Sequence, residues 1–123
     1  MSESVARPAD QVSPSAAVQL GVARCRIDPP AGIYARNWGA AKHDVAEGVH
    51  RSILATVLVI RGEGSPDPLV LAGLDLGWWQ QAEDEWLVRG ALIESLHLRP
   101  ERVMLSFIHT HAGASLCSGD ESP

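Results

Sequence analysis

The sequence predicts an α/β protein, a mixed sheet that contains a βαβ crossover. Residues 69–76 (LVLAGLDL) and 103–108 (VMLSFI) are short apolar runs rich in Leu, Val and Ile, which is typical of buried strands. Residues 79–97, between these runs, have helical spacing, and Pro100 follows them closely. A helix between two buried strands indicates a right-handed crossover and parallel pairing of the two strands.

Two further strands are predicted before the crossover. Residues 18–27 (VQLGVARCRI) alternate loosely, and the Pro and Gly residues of 28–32 end that strand. Residues 53–60 (ILATVLVI) are almost entirely apolar, which suits a central strand covered on both faces. Residues 33–47 form a long irregular stretch with aromatic, amide and ionisable groups. That stretch is either a functional loop or a solvated loop with one buried Trp.

The predicted helix has a single apolar stripe that should pack on the sheet. Three acids at residues 83–85 lie near its start, where the helix dipole favours negative charge. The stripe consists of Trp79, Ala82, Trp86, Gly90, Ile93 and Leu96.

Composition excludes several classes of function. The chain has 123 residues, enough for one domain, with 46% hydrophobic and 20% charged residues. Its net charge is −5 and its Lys and Arg residues are not clustered, which argues against nucleic acid or an anionic membrane surface as partner. The sequence contains no apolar run of about 18 residues, so no transmembrane segment is predicted.

Residues 1–16 are rich in Ser, Ala, Pro and charge, and are predicted to be a flexible tail. They lack the apolar centre of a signal peptide, which makes the cytoplasm the expected location. The two cysteines do not make a disulfide framework in that compartment. Cys25, in an apolar run, is expected to be buried, and a nucleophilic role for Cys117 with a histidine is a minor alternative.

Two histidines, His109 and His111, follow the last predicted strand. Residues i and i+2 of a strand face the same way, about 6.5–7 Å apart, so both imidazoles can reach one metal ion. The reach is sufficient because the bond between zinc and an imidazole nitrogen, for example, is about 2.0–2.1 Å long and both rings can lean inward. The alternative is a pair of polar residues where a strand meets solvent.

Other chemistry-bearing residues are expected at the same edge of the sheet, because sites gather where parallel strands end. Asp75 ends one of the two strands and is a ligand, an acceptor that orients a metal-bound imidazole, or a cap for the next turn. Trp78 and Trp79 either line a pocket there or pack the helix on the sheet. His50 opens the strand at 53–60 and either faces the site or is a core histidine.

The order of several short segments resembles the amino-terminal part of the neutral/alkaline (non-lysosomal) ceramidase family. The match covers most of the chain from residue 18 onward, but only the opening portion of the family's catalytic domain. The matching segments are GVAR (21–24), IDPPAG (27–32), GVHR (48–51), LDLG (74–77) and HTHAG (109–113).

The resemblance implies a fragment of a larger α/β catalytic domain, formed by residues 17–123 and bearing Zn²⁺. In the family, the first histidine of the motif is a zinc ligand, which points to His109. The second lies beside the metal and contacts the substrate, which points to His111. The family's other ligands, a His, a Glu and a Tyr, lie further downstream than residue 123.

Departures from the family pattern bear on the substrate. Ala112 replaces the Ser of the family's His-Thr-His-Ser-Gly motif, and Ala114 stands where a Pro is usual. Tyr34 and Trp38, with the Trp pair, are candidate lining residues of a pocket that differs from the family's. The substrate implied is a small N-acyl amide or a lipid-like molecule.

The sequence therefore favours the amino-terminal segment of a zinc-dependent amide hydrolase, incomplete as a stand-alone enzyme. One alternative is a non-catalytic, truncated α/β interaction module. Another is a different His-x-His metallohydrolase of the metallo-β-lactamase type, but that motif requires Asp and His where this chain has Gly113 and Ala114. Truncation would leave sheet edges uncovered, which favours self-association.

Overall fold

The computed structural model describes residues 15–36 and 39–114. In this part of the chain the elements are β1 (Val18–Arg26), β2 (Leu54–Gly62), β3 (Leu69–Leu74), α1 (Ala82–Leu96), a 3₁₀ turn (Pro100–Arg102) and β4 (Val103–Phe107). The strands form one sheet in the order β1-β2-β3-β4. Residues 1–14 of the predicted tail, together with Trp38 and Cys117, lie outside the described residues.

The sheet is mixed, and the predicted fold class is confirmed. β3 and β4 pair in parallel, with Val70 opposite Val103 and Leu74 opposite Phe107, and α1 connects them. β1 pairs with β2, and β2 with β3, in antiparallel fashion. β2 is therefore central, as predicted, and its amino end lies beside the carboxyl ends of β3 and β4.

One face of the sheet, called here the helix-side face, carries the core. Alternate residues of β3 and the start of β4 point to this face and are buried. Its buried apolar residues are Ala55, Val70, Ala72, Leu74, Leu76 and Val103. Trp79, just before α1, packs against Phe107 of β4 with ring centroids 4.4 Å apart. The core is thus concentrated between β3, β4 and the start of the crossover.

The opposite face, called here the open face, is also apolar. A cross-strand row runs through Val22, Leu58, Leu71 and Met104, which are register partners across all four strands. The outer members remain exposed in the described part of the chain, Val22 by 72% and Met104 by 58%. The expectation that β2 is covered on both faces is therefore wrong for the described residues, because β2 is only half-buried along most of its length.

The predicted stripe of the helix is only partly buried: Trp79, Gly90 and Ile93 are half-buried, whereas Ala82, Trp86 and Leu96 are exposed. Trp86 is 54% exposed and Leu96 is 47% exposed, so neither is a core residue. Instead, the Arg89 guanidinium donates hydrogen bonds to the carbonyl oxygens of Val103 (3.0 Å) and Pro100 (2.8 Å). These bonds hold the helix over the start of β4 and leave the Trp86 side facing outward.

A left-handed residue ends α1. His97 has φ 52° and ψ 40°, its N–H donates to the carbonyl of Glu94 (3.2 Å), and the next N–H, of Leu98, donates to Ile93 (3.1 Å). This pair of bonds is the Schellman arrangement, which usually places Gly at the left-handed position. In the described part of the chain, α1 included, no helix combines the length and apolar character that a membrane crossing requires.

Before β2, one expectation needs correction. Cys25 is exposed rather than buried, because β1 is an edge strand whose residues are all exposed. The predicted irregular stretch contains no helix or strand in its described residues, as expected, and it folds back on itself with Tyr34 bridging to Val45. Backbone bonds from Ala46 to Ile33 (2.9 Å) and from Ala35 to Asp44 (2.8 Å) close this loop, called here the 33–46 loop.

Candidate functional site

The carboxyl ends of β3 and β4 stay together beyond the strands themselves. The N–H of Ile108 donates to Leu74 (3.3 Å), and that of Thr110 donates to Leu76 (3.4 Å). These bonds carry the histidine segment alongside the chain that leaves β3. The structure therefore places Asp75, His109 and His111 at one edge of the sheet.

A cluster of three rings, called here the ring cluster, lies at this edge. The ring centroids of His109 and His111 are 5.1 Å apart, with planes inclined by 63°. Trp78 contacts both, with centroid distances of 5.3 Å to His109 and 5.7 Å to His111. Both histidines are exposed, while the tryptophan is half-buried behind them. Two imidazoles this close suit shared coordination of one zinc ion at about 2.0–2.1 Å from each nitrogen.

The backbone at His109 is in the left-handed region, with φ 59°. In the described residues the other non-glycine residue with positive φ is His97, where the helix end accounts for it. His109 ends no helix. Non-glycine residues in this region cost of the order of 1–3 kcal/mol and cluster at functional sites. The strained backbone at His109 is therefore a second reason to place a site here.

Two glycines allow the chain segments at this edge to approach closely. A Cβ on Gly77 would lie 3.1 Å from the carbonyl oxygen of Thr110. A Cβ on Gly113 would lie 3.2 Å from the Thr110 methyl group. Both distances are shorter than ordinary van der Waals contact. A side chain at position 77 would therefore press on the backbone of the histidine segment, and one at position 113 would require the Thr110 side chain to shift.

A cavity of about 520 Å³, called here the edge cavity, opens at the same edge of the sheet. Ile108, Thr110 and Ala112 of the histidine segment line it, whereas the three rings of the ring cluster do not. It lies between the amino end of β2, the carboxyl ends of β3 and β4, and the 33–46 loop. Its polar lining residues are His50, Arg51, Ser52, Asp75 and Thr110, and its walls are otherwise mostly small or aliphatic. His50 is exposed and faces this cavity, so the interpretation of it as a core histidine is wrong.

The segment that carries His50 and Arg51 is fixed by Asp28. The carboxylate of Asp28 accepts hydrogen bonds from the Ser52 hydroxyl (2.9 Å) and the Ile53 N–H (2.8 Å). The turn after β1 thereby holds the residues just before β2 in place. His50 and Arg51 are presented at the cavity by this anchored turn.

Asp75 belongs to the edge cavity, and its contacts differ from those of the histidines. Its Oδ2 atom accepts a hydrogen bond from the N–H of Leu54 (3.0 Å). The described residues contain no group of three or more His, Cys, Asp or Glu side chains placed to hold a metal. The role of Asp75 toward a metal-bound imidazole stays a prediction.

The four predicted lining residues have different positions. Trp78 contacts the two histidines, whereas Trp79 packs on Phe107. Tyr34 lies in the 33–46 loop, whose residues Ala35 and Ala46 line the edge cavity. Trp38 lies outside the residues that the structure describes.

The comparison with solved structures finds a similar fold. Neutral ceramidase from Pseudomonas aeruginosa matches 83% of this chain with a TM-score of 0.63 and 24% sequence identity. The match covers 16% of that protein, so the chain spans about a sixth of its length. No family model matches the sequence, and no curated protein does. The likeness establishes that this chain shares the fold of a segment of that neutral ceramidase.

Proposed function

We propose that residues 17–123 form the amino-terminal segment of a zinc-dependent amide hydrolase of the neutral ceramidase type, acting on an N-acyl amide. The observation that carries this proposal is the ring cluster, in which His109 and His111 lie 5.1 Å apart at the carboxyl edge of the sheet. The structural likeness to a neutral ceramidase supports the same proposal.

Each residue of the ring cluster has a separate role in this proposal. His109 would hold the zinc ion, with its ring positioned by its contacts with Trp78 and His111. Zinc held there would supply Lewis-acid chemistry, polarising an amide carbonyl and lowering the pKa of a water molecule. His111 would donate a hydrogen bond that stabilises charge on the reacting oxygen or positions the scissile amide. Trp78, packed against both rings, would restrict their rotation and the access of water.

Zinc binding tests the ligand assignment. We expect His109→Ala to weaken the zinc affinity of the chain by about tenfold or more, because it removes a direct ligand. His43→Ala is the matched control, since the His43 side chain is 72% exposed and lies in the 33–46 loop, outside the ring cluster. Isothermal titration calorimetry measures both variants, and equal affinities would refute the assignment.

Hydrolysis by the chain alone should not be detectable. A catalytic zinc site normally takes about three ligands from protein. The resemblance supplies His109, with His111 as a candidate second ligand, and assigns the others to downstream residues. We expect no zinc-dependent turnover of short-chain ceramide analogues until a downstream segment is supplied, fused or in trans. Turnover by the 123-residue chain that His109→Ala abolishes would show that a complete site exists within it.

We also infer that the chain self-associates through its uncovered sheet surfaces. β1 is exposed along all nine residues, and its outer edge has no partner strand in the described part of the chain. Sedimentation velocity at rising protein concentration should show oligomers. A single monomeric species at about 100 μM, which corresponds to a dissociation constant well above that concentration, would contradict the inference.

A further inference from the structure

We propose that the edge cavity binds the carboxylate-bearing part of an N-acyl amino acid, with Arg51 recognising the carboxylate. This inference rests on the proposed amide hydrolysis and assigns it a substrate class. It distinguishes an N-acyl amino acid from an N-acyl amino alcohol, which has a hydroxyl in place of the carboxylate.

The cation at the cavity, Arg51, is unpaired within the part of the chain that the structure describes. Arg51 lines the cavity and makes no hydrogen bond or ion pair with the described residues. Other arginines are already engaged: Arg36 pairs with Asp44 at 2.7 Å, and Arg89 bonds to backbone carbonyls. A guanidinium matches a carboxylate in a bidentate geometry, so the natural ligand for Arg51 is a planar anion.

Asp75 supplies the complementary acceptor in the same cavity. Its Oδ2 atom takes the Leu54 N–H, and an ionised carboxylate has room for further donors. The N–H of an acylated amino acid is such a donor. His50, also at the cavity and without a partner in the described part of the chain, can donate to or accept from the same ligand.

The cavity walls suit a short aliphatic group. Small side chains from the 33–46 loop and from the segment after β4 form much of the lining, with aliphatic residues between them. These wall residues are Ala35, Ala46, Val49, Ile53, Ile108, Ala112 and Ala114. The volume of about 520 Å³ is within the range of small-molecule sites, about 300–1,000 Å³. An acyl amino acid thus meets a cation, an acceptor and an apolar wall in one cavity.

The test compares two ligands that differ only at the recognised group, N-hexanoylglycine and N-hexanoylethanolamine. Binding to the 123-residue chain is followed by backbone amide NMR with a chelator present, so that zinc plays no part. We expect the glycine conjugate to bind about fivefold more tightly, the size of one partly exposed ion pair. The shifts should be largest at Ala46, Thr110 and Gly113, around the cavity.

Arg51→Gln should abolish this preference while leaving the weaker binding of the ethanolamine conjugate unchanged. Arg99→Gln is the control, because Arg99 is an exposed arginine paired with Glu101 near the amino end of β4, away from the cavity. Equal affinity for the two ligands, a preference that survives Arg51→Gln, or shifts confined to the open face would each overturn the proposal. Zinc titration of His109→Ala is independent of this experiment, so failure of the substrate class and failure of the metal site are distinguishable.

Discussion

The two faces of the sheet carry similar side chains but have different surroundings. On the helix-side face, Val70 and Leu74 are buried, with exposed fractions of 5% and 9%. On the open face, Leu20 and Val22 are as apolar as these residues and remain 64% and 72% exposed. The hydrophobicity of a strand residue therefore does not tell which face the helix covers. The crossover connection determines it.

The two faces should therefore contribute to different properties, the helix-side face to the stability of the chain and the open face to its association. Burial of apolar area stabilises the helix-side face within the chain. The same area on the open face is available for contact with another protein surface, since large exposed apolar patches usually mark an interaction site. Substitutions on the first face should lower the free energy of unfolding, and those on the second should change association.

The largest effect is expected in the core of the helix-side face. Leu74→Ala should lower the free energy of unfolding by about 2–4 kcal/mol, because Leu74 packs with Ala55 and Leu76 and its removal leaves a cavity. Urea denaturation followed by circular dichroism measures the loss. A loss of less than about 1 kcal/mol would mean that the helix-side face contributes no more to stability than the open face, contrary to the account.

A smaller gain is expected at the end of the helix that covers this face. His97→Gly should raise the free energy of unfolding by about 1 kcal/mol, because glycine adopts the left-handed conformation without the penalty of a Cβ atom. The same denaturation assay measures it. His97→Ala is the control and should not be stabilising, since alanine retains the Cβ. Equal stability of the Gly and Ala variants would contradict the assigned helix end.

The outward side of α1 should tolerate substitution. Trp86→Ala should change the free energy of unfolding by less than about 1 kcal/mol, because more than half of its ring surface is already exposed. A loss of about 3–5 kcal/mol, typical of a buried Trp, would show that Trp86 is a core residue, as the stripe predicted from the sequence requires.

The smallest effect on stability is expected on the open face. Val22→Thr keeps the branched shape of the side chain and should change stability by less than about 0.5 kcal/mol. It should nevertheless weaken self-association, because it introduces a polar group into the apolar row. Sedimentation velocity separates the two effects. Ala23→Ser, one residue along on the other face, is the control and should leave association unchanged.

The crossover was readable from the sequence, but the contact side of its helix was not. The runs at 69–76 and 103–108 and the spacing between them define two strands and a helix, and their parallel pairing follows from that order. The helix, however, has apolar residues on more than one side. The hydrogen bonds that Arg89 donates to the carbonyls of Val103 and Pro100 determine which side of the helix faces the sheet. The spacing of apolar residues does not reveal such bonds.

The site was readable in part for a similar reason. His109 and His111 follow a strand directly, so their position at the sheet edge follows from the order of elements. The contribution of Arg51 was missed, and that of His50 stayed one of two interpretations. Both depend on the antiparallel pairing of β2 with β3, which places Ala55 opposite Leu74. That pairing brings the start of β2 to the edge where β3 ends. The loop between 60 and 69, with its Gly and Pro residues, was the signal that could have revealed it.

The central claim is that His109 is a zinc ligand and that His111 lies beside the metal. The ¹⁵N chemical shifts of the imidazole nitrogens test this claim directly. The chain has five histidines, and long-range ¹H–¹⁵N NMR resolves each ring during a zinc titration. A ring that binds zinc shows a large change at the coordinating nitrogen. We expect that change at His109, a smaller one at His111, and none at His43, His50 or His97. Zinc binding that leaves the His109 ring unchanged, or that acts first on one of the other three, would contradict the account.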